Sequence, residues 1–375
     1  MVITVPKKIV ASFTLLFLML ATMQAVAASP ILLKAKKEAE AKGYIFFTAH
    51  DEIVAMAKKE GKLKVGSDLE PTNFKPLIDA FKQKYPFFTD VHIEEVQDIS
   101  AHQRLLLEIK SGQAKGWDIV YIIIDLAKEY RPYIVKHDIL GMARHGVLEI
   151  DPRMIHPVDR NMVSVTSSIR VVPYNRKLIS EDKVPAKWED FLKPEFKGKK
   201  FVLDLRPIQV ASLVPAWGLE RTLEFARKLA GQQPVWGRGA TRMITAVATG
   251  EYSMYLGSNF SAANRAMAKD RTGNLNYKVI EPVPSLNATF ADGILNTAAN
   301  PHAALLWLEF FASPEGQEIL DKYGPFRGSV FTPGSVAAKV THGKQLSLVD
   351  WDHFTKFQEY EAKIVAAYGF PKADR

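Results

Sequence analysis

Chemistry in this chain rests on histidine, carboxylate, hydroxyl and arginine side chains, because its 375 residues include no cysteine. That excludes disulfides, thiolate metal sites and cysteine nucleophiles. The nine histidines are scattered. None falls in an HExxH motif, and no GxSxG elbow, P-loop or GxGxxG turn occurs. His50-Asp51-Glu52 offers metal-ligand types but opens a predicted helix, where Asp and Glu cap the chain and complement its dipole. His92 and Glu94 share one face of a predicted strand, as a solvated pair would. Glu94-Glu95 and Glu181-Asp182 are adjacent carboxylates with no partner motif. No catalytic constellation stands out, and neither a metal nor a cofactor is expected.

Binding is the chemistry the residue types support. In open α/β sheets, ligands sit at the carboxyl ends of strands, close to helix N-termini with their free N–H groups. Several loops fit that position. Ser67 and Asp68 follow a first strand, and Asp125 follows the run from Tyr121. Arg206 and Gln209 follow the strand FVLDL. Arg238 and Thr241 lie in a Gly-Arg-Gly turn before a helix. Asn259 and Phe260 precede another, and Asp292 lies near a second crossing between halves. Arg206 and Arg238 beside helix starts, with Arg242 a turn further on, favour a small organic anion such as a carboxylate or phosphonate, since guanidinium forks suit those groups. A polyamine would instead need Asp68, Glu70, Asp125 and Asp292 to converge with aromatics.

The elements that must position these loops alternate strand and helix. Helices are predicted over 31–42, 51–59, 73–84 and 101–111, with strands over 62–66, 91–96 and 117–124 between or after them. The last is apolar enough to be buried on both faces. A strand is expected over 163–172. Pro173, Pro185 and Pro194 then bar a long helix, leaving a short one over 188–192 before the strand at 201–205. The second half continues with helices over 208–217, 220–229, 241–249 and 261–268 and strands over 253–256 and 277–280. An extended stretch over 290–297, strong helices over 301–311 and 317–322, and a last helix over 351–368 complete the reading. Such alternation implies mostly parallel sheets flanked by helices, and the length suits two domains.

Composition agrees with a soluble globular protein: 47% apolar and 24% charged residues, with a formal net charge of +8. Two of those charges are Lys7 and Lys8, which precede an apolar stretch over 9–20 and a small-residue Ala25-Val26-Ala27 site. That is the pattern of a secretory signal peptide, too short in its apolar core for a span of about 20 residues. No cysteine follows to carry a lipid. No basic block interleaved with aromatics suggests nucleic-acid binding.

Four segments carry a resemblance: IVAMAKKEGKLKVGS (53–67), WDIVYI (117–122), VVPYNRKLISEDKVPAKWEDFLKPEFKGKKFVLD (171–204) and NPHAALLWLEFFASPEGQEIL (300–320). In this order, behind a signal peptide, they resemble bacterial extracellular solute-binding proteins of ABC importers, family 1, in the branch of the ferric-iron binders. The resemblance implies a type II periplasmic binding protein fold: two lobes, each a mixed, mostly parallel sheet flanked by helices, with the ligand cleft between them. The expected layout is a signal peptide over 1–27, a helical segment over 28–60, one lobe from 61–165 and 288–330, and a second from 166–287 and 331–375. The resemblance also implies a periplasmic monomer that closes on a solute and docks on a membrane permease. A ferric-iron or polyamine binder is the alternative on the same fold, and a secreted enzyme the more distant one. The ferric relatives carry adjacent tyrosines where this chain has Phe260-Ser261, and a glutamate where it has Ile122-Ile123-Ile124. Tyr252 and Tyr255 fall within a strand and suit packing.

Overall fold

Alternation at Leu63 and Val65, and the unbroken apolar run through Ile119–Ile123, place a central sheet in the first lobe of the computed structural model, which describes residues 29–96, 99–114, 116–123, 126–323 and 327–370. The leader expected over 1–27 and the candidate Asp125 lie outside the described residues. In chain order the strands are β1 (Lys62–Ser67), β2 (Asp90–Glu95), β3 (Ile119–Ile123), β4 (Met162–Val163), β5 (Ser168–Asn175), β6 (Val202–Asp204), β7 (Val235–Gly237), β8 (Tyr255–Leu256), β9 (Ser258–Asn259), β10 (Leu275–Lys278), β11 (Val283–Leu286), β12 (Phe290–Ile294) and β13 (Leu346–Val349).

The first lobe is the sheet β2-β1-β3-β12-β4. β1 runs parallel to β2 and β3, whereas β12 returns antiparallel and sets Asp292 opposite Tyr121. Helix Pro301–Ala312 packs beneath it, and every residue from Ala303 to Ala312 is buried. Each large apolar side chain so buried contributes roughly 1.5–3 kcal/mol. One of the ten is Glu309, which accepts from His50 Nε2 and from the Glu149 N–H, both at 2.7 Å. Ala39, Phe46, Ile53 and Ala57, from the segment expected to be helical over 28–60, belong to this core.

The second lobe has two sheets. One is β10-β5-β11-β13 with β9 added to β5, and the other is the parallel trio β7-β6-β8. The proline-punctuated stretch after β5 becomes 3-10 turns over Trp188–Leu192 and Pro194–Phe196 that pack Trp188 and Phe191 at 0% exposure. Trp188 Nε1 donates to the Pro282 carbonyl at 2.9 Å, which fixes the turn to the sheet.

Some elements are shorter than the periodicity suggested. The strand expected over 163–172 is two strands, β4 and β5, because residues 164–167 cross between lobes. The helix expected over 208–217 breaks into Ile208–Ala211 and Val214–Trp217, with Pro215 inside the second turn. The last helix splits into Trp351–Phe354 and Phe357–Tyr368. Two further crossings lie at 287–289 and just past β13, where Trp351 plugs into the apolar cluster that holds Met162 and Leu295. Among the described residues no helix is long and apolar enough to cross a membrane.

Candidate functional site

The crossings open onto a cavity of about 510 Å³ between the lobes. Crossing residues Thr166, Ser167 and Thr289 form part of its wall, beside Arg170 on β5 and Phe290 on β12. The hinge is pinned locally: Ser167 N–H donates to the Arg327 carbonyl at 3.2 Å, and Ser167 Oγ accepts from Val330 N–H at 3.0 Å.

Arg170 is the least expected lining group. It interrupts the apolar strand SIRVVPYN. Its Nε is fully enclosed and has no hydrogen-bond partner. Burial pulls its pKa below the ordinary arginine value, and the nearby Arg206 adds to that, opposed by Tyr255, Asp204 and Glu361. A guanidinium remains charged under these conditions. The lobe therefore carries the desolvation cost of a cation whose donors are not all used.

Two helices begin at the same cavity. Helix Ala240–Thr249 presents Ala240 and Thr241, and its cap residue Gly239 (φ 94°) supplies no side-chain acceptor for the first N–H groups. Helix Phe260–Lys269 presents Phe260 and Ser261. Its cap, Asn259, lies opposite Arg170 in the β5/β9 register and accepts from Ala262 N–H at 3.2 Å. Its Nδ2 donates to Ser168 Oγ at 2.6 Å. Both helix ends carry partial positive charge. The turn from β8 into β9 depends on Gly257 at φ 84°, where a Cβ would lie 2.3 Å from Gln209 Cβ.

On the first lobe, Arg327 lines the cavity and pairs with Asp68 at 2.5 Å. Burial works against its charge, but Asp68, together with Tyr121 and Glu70, offsets it and the pKa rises. Tyr121 stacks on Phe290 at 5.2 Å. Burial, then Asp68, raises the Tyr121 phenol well above its ordinary value. Asp292 is 6% exposed. Burial and the neighbouring Asp68 push its carboxyl well above the usual range. Arg265, on the second lobe, also lines the cavity and reaches Glu70 of the first lobe at 3.9 Å. Three arginines therefore face the cavity against one lining carboxylate, Glu361.

The residues singled out from sequence fall into three groups. Thr241, Asn259 and Phe260 line the cavity directly. Asp68, Tyr121 and Asp292 form the polar cluster behind Arg327, and Ser67 is buried beside them with its Oγ accepting from Leu69 N–H at 3.2 Å. The remaining three do not reach the cavity wall. Arg206 is drawn back because Asp204 accepts from both its Nε and Nη2, at 3.3 and 2.9 Å. Gln209 is buried against the Gly257 turn. Arg238 lines a different cavity on the second lobe. Sequence reasoning missed Arg170, Arg265 and Arg327. Only Arg170 carried a local signal, as a charge inside an apolar run.

Tyr255 is buried, and desolvation, then Asp204, raises its phenol. Among the described residues no three His, Asp or Glu side chains are grouped to hold a metal. The cavity can therefore offer guanidinium donors and aromatic side chains from both lobes, with hydroxyls and helix N–H groups from the second.

Comparison with known proteins agrees with this architecture. Residues 127–356 match a family described as bacterial extracellular solute-binding protein. Iron-bound HitA from Pseudomonas aeruginosa superposes with a TM-score of 0.54 at 18% identity, over 81% of this chain and 99% of that one. Trichodesmium IdiA (FutA) in complex with iron and citrate gives 0.59 at 18% identity, over 82% and 98%. An ABC transporter substrate-binding protein from Bradyrhizobium japonicum gives 0.58 at 16% identity, over 82% and 99%. At such identities the likeness is one of fold. No curated protein matches the sequence.

Proposed function

The chain belongs to the bacterial extracellular solute-binding proteins, and from that premise we propose that its cleft captures a small organic anion, such as a carboxylate or phosphonate, for delivery to the permease of an ABC importer. The family consists of transport binding proteins, so capture and release without turnover is the expected activity. One observation carries the choice of ligand. Arg170, a cation with an enclosed and unpartnered Nε, sits on the hinge strand in the cleft wall. A bound carboxylate or phosphonate would supply the missing acceptor and the opposite charge, and the helix starts at Ala240 and Phe260 favour the same sign.

Both lobes contribute to the wall, Arg170 and Ser261 from one and Phe290 and Arg327 from the other. A ligand touching both would favour the closed state by the affinity it gains there, and hinge closure follows. The leader pattern at Lys7 to Ala27 supports export to the periplasm, where the protein acts as a soluble monomer.

HitA and FutA hold iron in their structures, so ferric iron is the competing reading. Phe260 and Ser261 face the cleft here, and burial raises the Tyr121 and Tyr255 phenols. Neither observation favours a hard trivalent cation. A thermal-shift screen of the mature protein against organic acids, phosphonates, polyamines, sugars and Fe³⁺ tests the proposal, because a ligand that binds only the native state raises Tm. Organic anions are expected to stabilise. Stabilisation by Fe³⁺ alone, or by polyamines alone, would overturn the reading.

A further inference from the structure

Four of the residues that line the cleft are phenylalanines: Phe260 at the start of its helix, Phe290 on β12, and Phe354 and Phe357 on the last two helices. They come from both lobes and from the segment that follows the last crossing. Tyr121 covers Phe290 on one face, with the ring planes 23° apart, yet Phe290 still lines the cavity. The Phe354 and Phe357 rings lie nearly parallel, with centroids 6.0 Å apart. Phe290 and Phe354 remain partly exposed, so apolar ring surface stays in water until a ligand covers it.

The polar part of the wall is largely committed. Asn259, the one carboxamide among the described lining residues, accepts from Ala262 N–H and from Ser261 Oγ, and donates to Ser168 Oγ. Ser167 Oγ accepts from Val330 N–H. A sugar acid would bring hydroxyls to side chains already bonded to one another, and hydrogen bonds left unmet are costly. Glu361, the one lining carboxylate, already neighbours two cations, Arg170 and Arg206, which leaves a ligand ammonium no uncommitted counter-charge. Two enclosed lining groups have no partner, Arg170 Nε and Thr289 Oγ1. Both can donate to the oxygens of an acid. The volume of about 510 Å³ falls within the roughly 300–1,000 Å³ of pockets that enclose drug-sized ligands. Charged donors beside a phenylalanine wall in that volume suit an acid with an apolar body. A flat ring fits such a wall best, because aromatic pairs gain from offset and edge-on contact beyond the area they bury.

We infer that the cleft selects an aromatic acid: a carboxylate or phosphonate held at Arg170 and borne on a flat ring that packs against Phe290 and Phe354. This rests on the anion reading of the cleft and adds the apolar half of the ligand.

Calorimetric titration of the mature protein at neutral pH compares benzoate with acetate, phenylphosphonate with methylphosphonate, and benzoate with gluconate and benzyl alcohol. Each ring-bearing acid should bind at least about tenfold tighter than its ring-free counterpart. Phe290→Leu and Phe354→Leu keep apolar bulk and remove a ring. Each should cut the preference for phenylphosphonate over methylphosphonate at least about threefold, with a melting curve to verify that the variant is folded. R170M should weaken both phosphonates and leave their ratio as in the wild type. Equal affinity for ring-bearing and ring-free acids, tighter binding of gluconate than of benzoate, or full preference in both phenylalanine variants overturns the inference and leaves the anion reading standing. Benzyl alcohol binding as tightly as benzoate, or no binding of any acid, overturns the anion reading and the inference with it.

Discussion

Replacing Arg170 with methionine should move stability and binding in opposite directions. Arg170 lies in an otherwise apolar strand, its Nε has no partner, and burial lowers its pKa. Methionine has a similar reach and no charge. Replacing buried ion pairs with well-packed apolar groups is often neutral or stabilising by about 1–4 kcal/mol, whereas removing one partner of a pair destabilises. Here the neighbouring Asp204 is already held by Arg206, so its charge is not orphaned when Arg170 is lost. Glu361 does lose a nearby cation, which places the expected gain at the low end, about 1 kcal/mol. That corresponds to a rise in Tm of roughly 1–2 °C for a chain of this length. Binding of the organic anion should weaken by about 2–3 kcal/mol, roughly 30- to 150-fold in Kd, because a charge-assisted contact is removed. Urea denaturation without ligand measures the first quantity, and calorimetry with the best anion from the thermal-shift screen measures the second. A variant that loses stability while binding normally would falsify the reasoning, because Arg170 would then be a structural ion-pair partner and not a ligand group.

Three other substitutions test the frame around the cleft. Asp292→Asn should stabilise the protein at neutral pH: a carboxyl whose folded pKa is raised gives its full stabilisation below the unfolded value of about 3.9 and loses it as pH rises through the folded value. Urea midpoints of wild type and variant should therefore converge near pH 4 and separate toward pH 8, and parallel curves would contradict this. His50→Ala should behave in a related way, since the hydrogen bond to Glu309 raises the His50 pKa and so stabilises most below about 6.5, with the benefit lost as pH rises through the folded value. With His50 about a third exposed, the loss at pH 5.5 should be no more than about 1 kcal/mol and should shrink by pH 8.5; a loss independent of pH would point to packing alone. Gly257→Ala should cost about 1–3 kcal/mol, because φ is 84° and the new Cβ would lie 2.3 Å from Gln209 Cβ, and an unchanged Tm would show that the β8–β9 turn relaxes freely.

Much of the first lobe was legible because its signals are local. Gly61 takes a left-handed C-cap at φ 65° after helix His50–Glu60, and the run at 119–123 is apolar throughout, so both ends of that reading follow from residue types alone. The cleft was harder. Thr166 and Ser167 look like part of a strand, and only the crossing between lobes takes them out of it. Arg327 reaches the cavity through its pair with Asp68, 259 residues away in sequence, which no periodicity encodes. Arg206 illustrates the opposite error. It follows a strand and precedes a helix, yet Asp204 two residues earlier has the reach to claim its fork, and that local competition decided its position. Arg238 was placed on the correct helix entrance but turns to the other side of it, and a single exposed rotamer decides such a choice. Helices at 208–217 and 351–368 were read as continuous because propensity tolerates a residue or two of non-helical backbone that tertiary packing then imposes.

We propose the cleft as an anion site built around Arg170. Native mass spectrometry of the mature protein, purified without added ligand and compared with R170M, tests it most directly. The wild type is expected to carry a mass increment of a small organic anion, released on denaturation, and R170M little or none of it. An increment of a single iron, retained equally by wild type and R170M, would contradict it.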